Sequence, residues 1–222
     1  MPLNIEEPEP RVLPVIVLAD TSGSMDTDGK IGVLNDALRR MVVALAEIDV
    51  PDCQISLATI AFGGSGATLH TPLTPVDGLE WEPLTAAGRT PMGEAFVLAR
   101  TLLEDQSSIP VRSHRPHLVL VSDGIPTDDW KSALEGLDSA AQAQRSLRFA
   151  VGIGAETDGT AFVLTTFAGD EGQVVSADEV EKLTEFFKFV THTVTESLLR
   201  PVQSQTELPT FQQYSVGDNV EF

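Results

Sequence analysis

This sequence predicts an α/β fold: a doubly wound, mostly parallel six-stranded sheet flanked by helices, Rossmann-like in outline. Two observations carry that expectation. The apolar runs Val12–Leu18, His117–Val121 and Leu147–Ile153 have strand length and no polar alternation, as in strands covered on both faces. Longer segments with apolar residues at helical spacing fall between them, and strand–helix alternation gives parallel strands joined by right-handed crossovers.

Residues 1–11 read as a lead-in, 12–199 as one domain and 200–222 as an extended tail, either disordered or packed on the domain. The first strand occupies Arg11 to Ala19. A loop from Asp20 to Gly29 follows, then a helix over 30–48 with Ile31, Leu34, Leu38, Met41, Val42, Leu45 and Ile48 on one stripe. Two strands, at 53–62 and about 68–75, flank the turn cluster Gly63-Gly-Ser-Gly66. A loop rich in Gly and Pro leads to a helix near 92–106. The His117 strand ends at Ser122-Asp123-Gly124, and Thr127 is placed to cap a helix with Trp130, Leu134, Leu137 and Ala141 inward. The Leu147–Ile153 strand, a short helix near 159–168, a brief strand near 172–175 and a periodic helix over 178–198 complete the order.

Composition narrows the function. A chain of 222 residues is long enough for one large core. Its formal charge of −19 disfavours nucleic acid and anionic membrane as partners, and favours cations and basic protein surfaces. The single cysteine, Cys53, excludes an internal disulfide framework and is read as a small buried hydrophobe. The N-terminal segment is acidic and proline-rich rather than basic then apolar, and no apolar run approaches bilayer length, so the expected location is cytoplasmic.

Three separated segments carry the chemistry: Asp20-Thr-Ser22-Gly-Ser24, Thr90 within Gly-Arg-Thr-Pro-Met-Gly, and Asp123 within Val-Ser-Asp-Gly. Asp20 and Asp123 directly follow buried strands, and Thr90 precedes a helix. Loops at the carboxyl ends of strands form the ligand crevice of an open α/β sheet, so topology brings the three together. Their donors are oxygens, as Mg²⁺ requires, with Mn²⁺ or Ca²⁺ as alternatives. Ser22, Ser24 and Thr90 offer neutral hydroxyls, with Gly23 allowing the turn. Asp20 and Asp123 orient the shell from behind. A cation held mainly by hydroxyls keeps positive charge and seeks an external carboxylate, an Asp or Glu of a partner protein.

These residues resemble the metal-ion-dependent adhesion site of von Willebrand factor A domains, and the likeness spans roughly residues 12–198. Gly88–Phe96 and Ser122–Trp130 look like the bacterial TerY-like, tellurium-resistance-associated branch. The resemblance implies a metal-dependent binder in a stress-response system, beside a protein kinase and a metal-dependent protein phosphatase. Some relatives carry a Cys- and His-rich zinc appendage, for which one cysteine is too few.

Plainer readings apply to the remaining polar residues. Asp128 and Asp129 are expected to complement a helix dipole. Lys30 and Arg89 are read as exposed charges, with neutralisation of the acidic loops as the alternative, Trp81 and Trp130 as packing residues, and His114 and His117 as loop and strand residues rather than a metal pair. The protein is expected not to be an enzyme. A magnesium phosphohydrolase of the haloacid dehalogenase type needs a second carboxylate where Ser22 stands, and no phosphate-cradling G-x-x-x-x-G-K-[ST] occurs. A scaffold with a vestigial metal site is the other alternative. The tail carboxylates of Glu207, Asp218, Glu221 and the chain end suggest self-association by capping a neighbour's metal.

Overall fold

The computed structural model describes residues 10–154, 158–177, 180–199 and 210–212. Its elements are β1 (Arg11–Asp20), α1 (Lys30–Ala46), β2 (Cys53–Gly63), β3 (Gly66–Pro75), α2 (Met92–Glu104), β4 (His117–Ser122), α3 (Trp130–Asp138), α4 (Ala141–Gln144), β5 (Leu147–Ile153), α5 (Asp158–Ala168), β6 (Gln173–Ala177) and α6 (Val180–Leu199). A short 3-10 segment, Gly23–Gly29, joins β1 to α1.

One six-stranded sheet runs in the order β3-β2-β1-β4-β5-β6. All neighbours pair in parallel except β3, which turns back on β2 as an antiparallel edge. The expected mostly parallel, doubly wound architecture is what the chain adopts.

Strand β1 shows why its run lacks polar alternation. Leu13, Val15, Val17 and Ala19 point into a core layer shared with α1 and α6. Ile16 and Leu18 point into the opposite layer, under α2, α3 and α5. Every second residue therefore meets a different helix layer, and both sets must be apolar.

Two expectations about the segment after β4 fail. Asp129, not Thr127, caps α3, its carboxylate accepting from the Ser132 N–H at 3.4 Å. Thr127 instead donates its own N–H to the Thr90 carbonyl at 3.0 Å. Ala141 is exposed, because α3 stops at Asp138. There the Ser139 hydroxyl donates to the Gly136 carbonyl at 2.6 Å, and Ala140 turns extended at ψ 129°. Helical phase is lost across that break, and Ala140 and Ala143 are buried instead.

The tail's carboxylates lie outside the described residues. Of the tail, Phe211 packs edge-on against Phe189 of α6, with ring centroids 5.6 Å apart. No helix among the described residues is long and apolar enough to cross a membrane.

At the amino end of β4, His117 is fully buried and stacks on Phe149. As the neutral tautomer its Nδ1–H donates to the Arg115 carbonyl at 3.1 Å, which leaves Nε2 without a partner. Burial above all, with the charges of Arg115 and His114, pushes its pKa down from 6.5 to about 3, against the opposing hydrogen bond. The folded value lies below the unfolded one, so between them the unfolded chain binds the extra proton and stability rises with pH. His117 therefore removes roughly 1.4 kcal/mol of stability per pH unit as pH falls through that window. Denaturant unfolding at pH 6 and pH 5 should show His117→Phe losing about 1 kcal/mol less than the wild type over that step. Equal losses would overturn the assignment.

Candidate metal centre

Strand order reverses at β1, which is followed by β2 on one side and reached by β4 on the other. The crevice of such a sheet opens where that reversal occurs, at the carboxyl ends of the strands. Asp20 is the last residue of β1 and Asp123 the first after β4, so both stand at this point.

Hydrogen bonds link four of the five expected residues, and Thr90 lies beside them. Asp20 Oδ1 accepts from the Ser22 N–H at 2.8 Å, and Oδ2 accepts from the Ser122 hydroxyl at 2.5 Å. Ser22 Oγ and Ser24 Oγ share a hydrogen bond at 3.0 Å, and Ser24 Oγ donates to Asp123 Oδ1 at 2.7 Å. A Cβ built on Gly124 would stand 3.6 Å from Thr90 Oγ1 and 3.9 Å from Ser24 Oγ, so both hydroxyls flank one spot. Asp20, Ser22 and Thr90 are buried whereas Ser24 is exposed, so the cluster opens to solvent on its serine side.

Backbone bonds hold the loops in register. The Gly23 N–H donates to the Gly88 carbonyl at 3.0 Å, and the Ala87 N–H to the Thr21 carbonyl at 2.7 Å. Gly64 donates to the Ala87 carbonyl and bridges Gly88. Gly88 has φ +70° and an added Cβ would fall 2.6 Å from Gly64 Cα, so only glycine fits there. Gly23 has no positive φ, and a Cβ there would meet the Gly88 carbonyl at 3.4 Å, an ordinary contact.

The electrostatics of the crevice are set by its two aspartates. Burial pushes the Asp20 carboxyl up, opposed by hydrogen bonds from Ser122 and Ser22 and reinforced by the charge of Asp123. Two carboxylates in mutual repulsion, lined by three hydroxyls and no sulfur or imidazole, fit a hard divalent ion. Among the described residues no three of His, Cys, Asp or Glu gather as a metal group, here or elsewhere, so an ion at this crevice would depend on the hydroxyls beside the two aspartates. An ion here would be met through oxygen and face outward, with Ser122 and the Ser22 amide fixing Asp20.

Two residues matter here in ways the preferred sequence reading did not give. Lys30, read first as an exposed charge, takes the neutralising alternative: it reaches back from the first turn of α1 to Asp123, with Nζ 2.8 Å from Oδ2. Asp128 complements a helix dipole as expected, but the helix is α2. Its two oxygens accept from the Gly93 and Glu94 N–H groups, each at 3.0 Å. It thereby ties the β4–α3 loop to the turn that carries Thr90. A long side chain and a cap from 35 positions away leave no local pattern to read. Asp128→Ala should lower the free energy of unfolding by about 1–2 kcal/mol in urea titration, and Asp129→Ala, which loses one long bond, by less. A neutral Asp128→Ala would show that the cap contributes nothing.

Beside Asp123 the rim turns apolar. Ile125 and Phe162 are 54% and 56% exposed, and Phe162 meets Trp130 edge-on at 6.0 Å. The Lys131 ammonium lies 5.7 Å from both ring centroids.

Comparison with known proteins agrees with this architecture. The von Willebrand factor type A domain from Catenulispora acidiphila superposes with a TM-score of 0.64 at 21% identity, over 87% of this chain and 44% of that one. The PilB minor pilin from Streptococcus sanguinis gives 0.65 at 18% identity, over 88% and 64%. The ArnB paralog VWA2 from Sulfolobus acidocaldarius gives 0.56 at 18%, over 85% and 46%. The chain thus spans less than two thirds of the length of each. No curated protein matches the sequence. The family model of the von Willebrand factor type A domain matches residues 15–189, and the chain belongs to that family.

Proposed function

We propose that the protein is a metal-dependent protein–protein interaction module whose Asp20, Ser22, Ser24, Thr90 and Asp123 hold Mg²⁺ and offer it to a carboxylate of a partner. The observation that carries this reading is the hydrogen-bonded chain from Asp20 through Ser22 and Ser24 to Asp123 at the switch point of the sheet. A metal there would supply an open, electron-poor coordination position. Ser24 gives it access to solvent, while Asp20 and Asp123 orient hydroxyls and water around it.

The reading is non-catalytic. Ser22 occupies the place where a phosphohydrolase needs its second carboxylate, and a neutral hydroxyl is no acid or base at neutral pH. The exposed Ile125 and Phe162 beside the site suit a protein partner, because apolar side chains at a rim add contact area that a bare ion lacks. That a minor pilin shares the fold supports protein binding in general terms. The likeness of Gly88–Phe96 and Ser122–Trp130 to the tellurium-resistance branch supports a bacterial stress-response setting, with a protein kinase and a metal-dependent protein phosphatase as candidate partners.

Calorimetric titration with Mg²⁺ or Mn²⁺ tests the site. The wild type should take up one ion, Thr90→Ala should lose about 10–100-fold in affinity, and Asp20→Ala/Ser22→Ala should give no heat of binding. Equal heats in wild type and double variant would leave a scaffold with a vestigial site as the better reading. Capture of the kinase or phosphatase that fails in chelator would support the partner assignment; capture indifferent to chelator would remove it.

A further inference from the structure

We propose that Lys30 is a built-in counter-cation of the metal centre, which weakens its hold on metal and strengthens its hold on the partner's carboxylate. The inference rests on the metal reading above and deepens it.

Lys30 is the first residue of α1, where the positive end of the helix dipole disfavours a basic side chain. That first turn contains no acid to offset it. The side chain nevertheless folds back across the crevice. Its ammonium lies 2.8 Å from Asp123 Oδ2, and it is 20% exposed against a fully covered Asp123 side chain. Beyond it stands the end of β5, where a Cβ on Gly154 would be 3.6 Å from Lys30 Cε and 3.7 Å from Nζ. A lysine held against its own helix dipole, and largely withdrawn from water, is held by Asp123.

Charge balance decides the consequence. Asp123 has a donor on each oxygen, Ser24 on Oδ1 and Lys30 on Oδ2, so it is engaged before any metal arrives. Two carboxylates and one ammonium leave a single negative charge in the cluster. A divalent ion converts this to a single positive charge, and one external carboxylate neutralises it. Without the lysine, the same ion and the two aspartates would already be neutral, and a partner's carboxylate would find little to bind. Lys30 thus trades affinity for the metal against affinity for the ligand of the metal.

The test compares the full chain as wild type, Lys30→Met and Lys30→Arg. Mn²⁺ binding is read by the electron paramagnetic resonance of the free ion. Acetate binding to the Mn²⁺-loaded protein is read by the loss of water proton relaxation. Lys30→Met should bind Mn²⁺ about tenfold more tightly and acetate about tenfold more weakly, and Lys30→Arg should stay within about threefold of wild type in both. Opposite movement of the two affinities is the signature that a merely structural lysine would not give. If Lys30→Met matches the wild type in both titrations, or binds Mn²⁺ more weakly, the role of Lys30 is overturned while the metal reading stands. If none of the three binds Mn²⁺, the metal reading fails and this inference with it.

Discussion

The carboxylate of Asp20, fully buried at the carboxyl end of the central strand, is the constraint on which the rest of the structure depends. A buried anion must be satisfied by donors, and its two oxygens take theirs from different places: the adjacent loop through the Ser22 amide, and the neighbouring strand through the Ser122 hydroxyl. One side chain therefore fixes both the bend after β1 and the end of β4. Once those are set, Ser24 reaches Asp123 and the loop from Ala87 to Thr90 closes over Gly23 through backbone bonds. The most costly group of the crevice is thus held at both oxygens.

The two ends of the sheet solve opposite problems. At the amino ends, arginines satisfy loop carbonyls. Arg11 donates to Arg112, Arg115 to Arg145, and Arg145 to Ser113 and His114. Burial, with the charges of Arg11 and Arg115, lowers the Arg145 pKa, and burial together with Arg11 and Arg145 lowers that of His114. At the carboxyl ends, acids and hydroxyls dominate, with Lys30 as the cation in contact. The chain's large negative charge is thus unevenly placed, and the basic residues at the amino ends hold loops rather than neutralise the crevice.

What could be read from sequence follows from range. Strands β1, β4 and β5 were readable because burial on both faces forces continuous apolar runs, and Asp20 and Asp123 because strand ends place them. Ser22, Ser24 and Thr90 were readable as short oxygen-bearing residues in loops that topology gathers. Local reading failed where a side chain acts at a distance or phase breaks. Lys30 spans the crevice to a residue 93 positions away, and Asp128 caps a helix that precedes it in the chain. Ala141 was placed inward by a periodicity that a single Ser139 back-bond interrupts.

These electrostatics bear on what partner the proposed site admits. A molecule carrying −19 repels acidic proteins at long range, yet the site seeks an acidic side chain. At physiological salt the field of the whole molecule fades within about 8 Å, so the two demands act at different distances. On that reading a partner of net positive charge would be favoured close in and would dock through one projecting Asp or Glu, and a strongly acidic partner would be disfavoured over the same short range. Specificity in such a module comes from the contrast between a negative body and a locally positive point. That contrast requires a cation at the crevice that the aspartates do not fully neutralise, and Lys30 is the residue of this chain placed to ensure it.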